Sequence, residues 1–246
     1  MINSHTYIPK TILKAFSTQT NKVWSTFFIK LPVMKIKERN IERIGTLKNG
    51  YASDTEIIFN QKYESGIAAL NKAVTKALRN KKENAFNNSD FDVDVIKNYF
   101  VFQMLRDEAA IRSLYPNLGA KKIQQLKNEL VKKEASDSII KETFNNHKLI
   151  ICINPNGNLI GCNFPITITA RSNHETLAMP ISPYVLLILT NDFRTITPLR
   201  YVSKAHCEID LNEAKLLNKQ IVIVGKKKGL GYIFSKTYSV LEEALN

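Results

Sequence analysis

Apolar residues at steps of three and four predict two long helices in the first half of the chain. The first covers residues 55–80, and its apolar face consists of Phe59, Tyr63, Ile67, Leu70, Val74 and Leu78. The second covers residues 92–114, with start signals at Ser89 and Asp90 and an end before Pro116. Its inward face consists of Val95, Tyr99, Phe102, Ala109 and Ala110. These patterns predict a helical layer with one buried side.

Beyond Lys148 short apolar runs replace the helical spacing and predict strands. Residues 149–153 and 159–162 are apolar on both faces and enclose Asn154-Pro155-Asn156-Gly157, a sequence that favours a tight turn. We therefore predict a buried hairpin at this point. Further strands are predicted at residues 23–29, 166–169, 177–181, 184–189 and 232–235, the last as an edge or final strand. One or two helical turns are predicted at residues 12–16 and a helix at residues 211–219.

These elements predict an α+β fold, in which the helical layer packs on a mixed, mostly antiparallel sheet. The sheet is expected to combine residues 148–190 with the strand at 23–29. We interpret residues 1–246 as a single domain, helix-rich over 1–147 and strand-rich over 148–246, that shares one core. Residues 33–52 are interpreted as a mobile basic loop over a site. Residues 120–146 are interpreted as a charged surface helix.

The charge of the chain favours a polyanionic partner. The 246 residues carry a formal net charge of +13, and residues 1–50 hold nine lysines and arginines against two glutamates. Other basic clusters lie at residues 76–82, 121–133 and 226–228. We expect nucleic acid as the partner, RNA rather than DNA, with an anionic membrane surface second and ordinary solvated faces as the alternative. Predicted phosphate contacts are Lys35, Lys37 and Arg39.

The remaining composition predicts a cytoplasmic protein without a metal or cofactor. There is no apolar run of about 18 residues and no signal peptide pattern, so neither a membrane span nor secretion is expected. Cys152, Cys162 and Cys207 are odd in number and lack a C-x-x-C spacing, which predicts reduced, buried thiols. The three histidines beyond residue 100 lack partners at ligand spacing and are interpreted as surface or loop residues, namely His147, His174 and His206.

Charged residues within apolar stripes are the candidates for chemistry. Glu56 lies at the centre of the first helical face and Glu64 on its border, although Glu56 also fits a capping box with Ser53. Arg106 lies within the second face, with Gln103 at its edge. Because a buried charge needs compensation, we expect an anion beside this arginine, which is either Glu56 or a substrate phosphate.

The order of several motifs resembles a bacterial family known as domain of unknown function 4238. The matching residues are His5-Thr6-Tyr7-Ile8-Pro9 with Leu13 and Phe16, then Glu56 and Glu64, then Phe100 with Gln103 and Arg106, and later Pro180-Ile181-Ser182-Pro183. The chain departs from the family at Asn163, where relatives usually carry an aspartate. The resemblance implies no established chemistry. Because some relatives are linked to defence against phage, it implies a nucleic-acid-directed effector.

Two hypotheses about function follow. In the first, His5, Glu56, Gln103, Arg106 and Asn163 converge on one pocket that cleaves RNA without a metal. Glu56 is then the general base, His5 the general acid and Arg106 the cation that stabilises the charge on phosphorus, while Gln103, Asn163 and Glu64 hold the substrate. In the second, the same polar cluster is structural, and the protein is a non-enzymatic module that binds or senses nucleic acid. Solvent access distinguishes the two, and the oligomeric state is left open.

Overall fold

The structure is a computed structural model that describes residues 3–4, 8–28, 35–44, 47–48, 63–79, 92–106, 117, 119, 121–122, 125, 129, 146–164, 166–171, 174–191, 200–201, 206–228 and 231–246. Its helices are α1 (Lys10–Phe16), α2 (Ser65–Arg79), α3 (Val93–Arg106), α4 (Leu211–Lys228) and α5 (Tyr238–Leu245). Its strands are β1 (Asn3–Ser4), β2 (Lys22–Phe28), β3 (Lys37–Asn40), β4 (Leu47–Lys48), β5 (Lys148–Ile153), β6 (Gly161–Cys162), β7 (Ile166–Arg171), β8 (His174–Ser182), β9 (Val185–Thr190), β10 (Arg200–Tyr201), β11 (His206–Glu208) and β12 (Gly231–Ser235).

Both long helices predicted from periodicity are present where the chain is described. In α2 the predicted apolar positions Ile67, Leu70 and Val74 are fully buried. The predicted inward face of α3 is confirmed in part, because Tyr99 is buried and Val95 packs against the core cluster. Ile96, Phe100 and Gln103 are buried as well. The side chain of Phe102, and Ala109 and Ala110, are not described. The carboxylate of Asp92 caps this helix by accepting hydrogen bonds from two amides of its first turn. No helix within the described ranges is both long and apolar enough to cross a membrane.

The larger sheet has six strands in the order β10-β11-β5-β9-β8-β7. Its pairs are antiparallel except β5 with β11, and β7, β8 and β9 confirm three predicted strands. The predicted hairpin is wrong, because β5 pairs with β9 and β11 whereas β6 pairs with β12. The predicted turn at residues 154–157 is confirmed, since the backbone amide of Gly157 donates to the carbonyl of Asn154 at 3.1 Å. A turn sequence fixes where the chain bends but not which strand it pairs with next.

A second sheet of four strands has the order β3-β2-β12-β6. The prediction that the strand at residues 23–29 joins the larger sheet is therefore wrong, because β2 pairs with β3 and β12. β12 lies inside its sheet and is followed by α5, which the sequence did not predict. Within the segment 33–52, interpreted as a mobile loop, the described residues form β3, a 3₁₀ turn at Ile41–Arg43 and β4. Most of the predicted helix at residues 120–146 lies outside the described part of the chain.

Helices cover both faces of the larger sheet. One face carries Ile151, Leu177 and Leu187, which pack in one cluster with apolar residues of α1, α2 and α3 and with Phe234 of the second sheet. The opposite face, with Ile150 and Ile188, packs against the start of α4. A third cluster joins α4 and α5 to the back of the second sheet. The fold is α+β as predicted, and the largest cluster draws on both the helix-rich and the strand-rich half of the chain.

The expectation of three reduced thiols is wrong for two of the cysteines. Cys152 and Cys207 form a disulfide, and they are direct partners in the parallel register of β5 and β11. Both side chains are fully buried. Cys162 is outside this bond and donates its thiol hydrogen to the carbonyl of Phe164. The pairing was not visible in the sequence because it depends on strand register rather than on cysteine spacing.

Candidate functional site

The structure does not describe the side chains of the three predicted catalytic residues. His5 and Glu56 lie outside the described residues, and Arg106 is the last residue of α3, with a side chain that is not described. Their approach to one another therefore stays a prediction.

Gln103 and Asn163, both predicted to hold substrate, are in contact within the core. The side-chain amide of Gln103 donates to the backbone carbonyl of Asn163 at 2.8 Å. The side-chain oxygen of Asn163 accepts from the amide of Tyr232 at 2.8 Å. The two side chains are 2% and 7% exposed. These bonds tie α3 to the second sheet, which is the arrangement expected of a structural polar cluster.

Replacing Asn163 by leucine should lower the free energy of unfolding by about 1–3 kcal/mol, because the partly buried backbone amide of Tyr232 loses its side-chain acceptor. Chemical denaturation measures this loss. The exposed Asn212 provides the control, since Asn212→Leu should change stability by less than about 0.5 kcal/mol. Nucleic-acid affinity should be unchanged in the folded Asn163→Leu protein. A loss of affinity at wild-type stability would instead assign Asn163 to a binding site.

Glu64 forms a separate contact at the start of α2. Its carboxylate accepts a hydrogen bond of 2.9 Å from the hydroxyl of Thr11, and the side chain is only 5% exposed. The bond joins α2 to α1, the helix that directly follows the His5 segment. Glu64 is therefore an internal residue, and not a freely accessible one.

The predicted phosphate contacts of residues 35–39 lie at the border of the second sheet. Lys37 and Arg39 belong to β3, the terminal strand of that sheet, and are partnered in register by Ser25 and Val23. Lys35 and Lys37 are exposed and Arg39 is half-buried. This basic edge is open to solvent, but its residues do not line the groove described next.

An open groove of about 830 Å³ lies between α2 and the turn that joins β8 to β9. Its floor and walls include Lys72, Thr75, Lys76 and Arg79 of α2, together with Tyr184 and Lys236. The three α2 cations recur at steps of four and three, so they project from one side of the helix. Lys236 follows β12 and lies over the ring of Tyr184, with its ammonium 6.0 Å from the ring centroid. The groove thus brings four cations and one aromatic ring together.

No carboxylate occurs among the described residues that line the groove. Within the described part of the chain, ion pairs join Lys10 to Glu42, Lys22 to Glu38 and Lys215 to Glu243, and none involves a groove cation. Lys76 and Arg79 lie in the last turn of α2, where positive charge stabilises a helix. That explanation does not cover Lys72, which repels Lys76 one turn away. Within the described part of the chain, the four groove cations therefore lie without a neighbouring carboxylate.

Two buried asparagines fix the walls of the groove. Asn71 donates from its side chain to the carbonyl of Ile181 at 3.1 Å, which holds α2 against β8. On the opposite wall, the backbone amide of Asn154 donates a hydrogen bond of 2.8 Å to the backbone carbonyl of Tyr184 and so holds the β8–β9 turn. Gly157 adopts a φ of +64°, and a Cβ there would clash with the ring of Tyr184. Buried hydrogen bonds therefore hold both walls of the groove in place.

The family model described as "Protein of unknown function (DUF4238)" matches residues 4–224, which is most of the chain. The chain belongs to the DUF4238 family. No curated protein and no solved structure matches it. The resemblance inferred from the ordered motifs is thus confirmed at the level of the family, and the description of DUF4238 names no activity.

Sequence reasoning missed part of the groove of this DUF4238 protein. It identified Lys76 and Arg79 as members of a basic cluster, but not that Lys72 extends the row by one turn. That signal was available in the helical spacing. The sequence around Tyr184 and Lys236 contained no such signal, because these residues approach α2 only through the pairing of distant strands.

His147 of this DUF4238 protein was interpreted as a surface or loop residue; it lies in a loop, but it is buried and not on the surface. It precedes β5, whereas His174 and His206 begin β8 and β11 and are not loop residues. Burial, and then the charge of Lys97, lower the pKa of His147 below its ordinary value. Among the described residues no group of three or more histidines, cysteines or carboxylates is arranged to hold a metal ion.

The lowered pKa of His147 predicts a loss of stability in acid. The folded state keeps the imidazole neutral, so the unfolded state binds the proton first as the pH falls through about 6.5. The stabilising contribution is present above that pH and is lost below it, by about 1.4 kcal/mol for each unit by which the pKa is lowered. Urea unfolding at pH 7.5 and 5.5 should show a smaller drop for His147→Gln than for the wild type. Equal drops would contradict the prediction.

Proposed function

We propose that this DUF4238 protein binds nucleic acid through the phosphates of its backbone, in the groove between α2 and Tyr184. The observation that carries the proposal is the set of four cations, Lys72, Lys76, Arg79 and Lys236, around a groove whose described lining holds no carboxylate. Phosphate contacts of this kind supply most of the affinity of non-specific nucleic-acid binding. The net charge of +13 adds a long-range attraction for the same partner.

The spacing of the cations suits a chain of phosphates. Lys72, Lys76 and Arg79 advance along the helix axis by about 6 Å and then about 4.5 Å, as 1.5 Å per residue requires. Their side chains form a row rather than a cage around a single ion. Lys236 extends the positive field to the opposite wall, beside Tyr184. A polyanionic strand satisfies such a row better than an isolated anion does.

The buried polar residues support a binding function without catalysis. Of the predicted substrate ligands, Gln103 and Asn163 are sealed in the core and hydrogen-bonded to each other or to the backbone. A group that must contact substrate needs access to it, and these two lack it. They are best explained as the tie between α3 and the second sheet. RNA is the preferred partner in this proposal, and a cytoplasmic location stays a prediction from the sequence.

Salt dependence tests the proposal. Fluorescence anisotropy with a labelled RNA and the matching DNA should give affinities that fall with salt, with a log–log slope of about −3 for three to four phosphate contacts. The dominance of lysine predicts little sequence preference. Affinity that is unchanged between about 50 and about 200 mM salt would refute the proposal.

The basic edge of the second sheet is a subsidiary contact in this proposal. Changing Lys35, Lys37 and Arg39 to glutamate should weaken binding to every sequence, because the exposed charges attract phosphates without reading bases. We expect the loss to be smaller than that from the groove, since these residues do not line it. The same anisotropy titration provides the comparison.

Metal-independent cleavage of RNA is the second candidate function. The hydrogen bond from Thr11 to Glu64 favours it, because this bond joins the helix that follows His5 in the sequence to the start of α2, which follows Glu56 in the sequence. In this proposal Glu56, His5 and Arg106 act as base, acid and cation, and the protein serves bacterial defence against phage. Inducible expression of the wild type beside His5→Ala, with RNA and DNA integrity followed over time, tests it. Intact RNA with both proteins would reject the activity.

A further inference from the structure

We infer that the groove takes a single nucleic-acid strand rather than a duplex, with its phosphates along α2 and one base stacked on Tyr184. This inference rests on the proposed function and specifies its ligand. It starts from the observation that the row of α2 cations and the ring of Tyr184 line the same groove. Proteins that bind single strands combine a cationic track for the backbone with aromatic rings for the bases.

The ring of Tyr184 is presented for contact. The side chain is half-buried, so part of it faces the groove. The turn backbone is held by the bond from the Asn154 amide, and Gly157 packs against the ring without a side chain. The ammonium of Lys236, at 6.0 Å from the centroid, lies at the outer limit of a cation–π contact. The ring is therefore positioned by its neighbours. For a base to stack on the face that Lys236 covers, the lysine side chain moves from the ring to a phosphate of the bound strand.

A duplex does not match this arrangement. Each base of a duplex is stacked on its neighbours, so contact with the face of Tyr184 would require a base to be unpaired and turned out. A single strand offers unstacked bases at no such cost. The groove, with a volume of about 830 Å³, is bordered on two sides by α2 and the β8–β9 turn.

The test uses the full chain and a labelled mixed-sequence RNA of about 12 nucleotides, free and annealed to its complement. Anisotropy titrations at one salt concentration should show at least about tenfold tighter binding to the free strand. Tyr184→Leu should weaken that binding by about 5- to 150-fold, whereas Tyr184→Phe, which keeps the ring, should bind like the wild type. Thermal unfolding of both variants verifies that they are folded.

The outcomes separate this inference from the proposed function. Equal affinity for strand and duplex, or a folded Tyr184→Leu protein that binds the strand like the wild type, would overturn the inference and leave phosphate binding in place. No binding to either probe would overturn both. Loss of strand binding in Tyr184→Leu, with duplex binding unchanged and Tyr184→Phe intact, would establish the stacking role.

Discussion

Reversing the three groove cations of α2 should lower nucleic-acid affinity by at least about 100-fold at low salt. The triple variant Lys72→Glu, Lys76→Glu and Arg79→Glu removes the three proposed phosphate contacts and places repulsive charges on the helix face that lines the groove. Because each lost contact retains one counterion on the nucleic acid, the log–log salt slope should also become shallower by about two. The three residues lie on the groove side of α2, so the apolar face that packs in the core is untouched.

A matched variant separates the site from the overall charge. Lys219, Lys226 and Lys227 are exposed on α4, and reversing them changes the net charge by the same amount. This control should weaken binding only through the long-range field, by roughly tenfold or less. If both triple variants lose affinity equally, the interaction depends on net charge and the groove has no special role. Circular dichroism of each variant verifies the helical content.

Removing the Cys152–Cys207 disulfide should lower the free energy of unfolding by about 4 kcal/mol. The bond joins residues that are 55 positions apart, so it restricts a long loop of the unfolded chain. It also fastens the short strand β11 to the centre of the larger sheet. Urea unfolding with and without reductant, after equilibration under denaturing conditions that expose the buried sulfurs, measures the difference.

Two controls accompany the disulfide measurement. Cys152→Ala with Cys207→Ala should be insensitive to reductant, whereas Cys162→Ala should respond like the wild type. In denatured but unreduced protein a thiol reagent should titrate Cys162 alone. Three titrated thiols, or a urea midpoint that reductant does not move, would contradict the bond.

The local elements were largely predictable because their patterns are local. The buried face of α2, which includes Ile67 and Leu70, follows from apolar residues spaced three and four positions apart. The turn before Gly157 and the strands β7 to β9 were likewise recognisable. The pairing of those strands was not, since β6 leaves β5 and joins β12 some 70 residues later. The position of β2 in the second sheet depends on the same distant strand.

The candidate site was also predictable in its residues but not in its long-range contacts. Gln103 and Asn163 were both singled out, and the structure brings them together across a sequence separation of 60 residues. Their burial, which favours a structural role, could not be read from the helical pattern alone. The groove escaped prediction because Lys236 and Tyr184 meet α2 only after both sheets have formed. The residue types of the groove were visible in the sequence, but the contacts between residues far apart in the chain were not.

Photo-crosslinking tests the central claim, that the groove binds nucleic acid, most directly. A short RNA that carries 4-thiouridine is bound to the wild-type protein and irradiated, and the attached peptides are identified by mass spectrometry. The account predicts crosslinks to peptides that contain residues 72–79, Tyr184 or Lys236, which line the groove. Crosslinks confined to peptides of α4 or β3, with none at the groove, would contradict it.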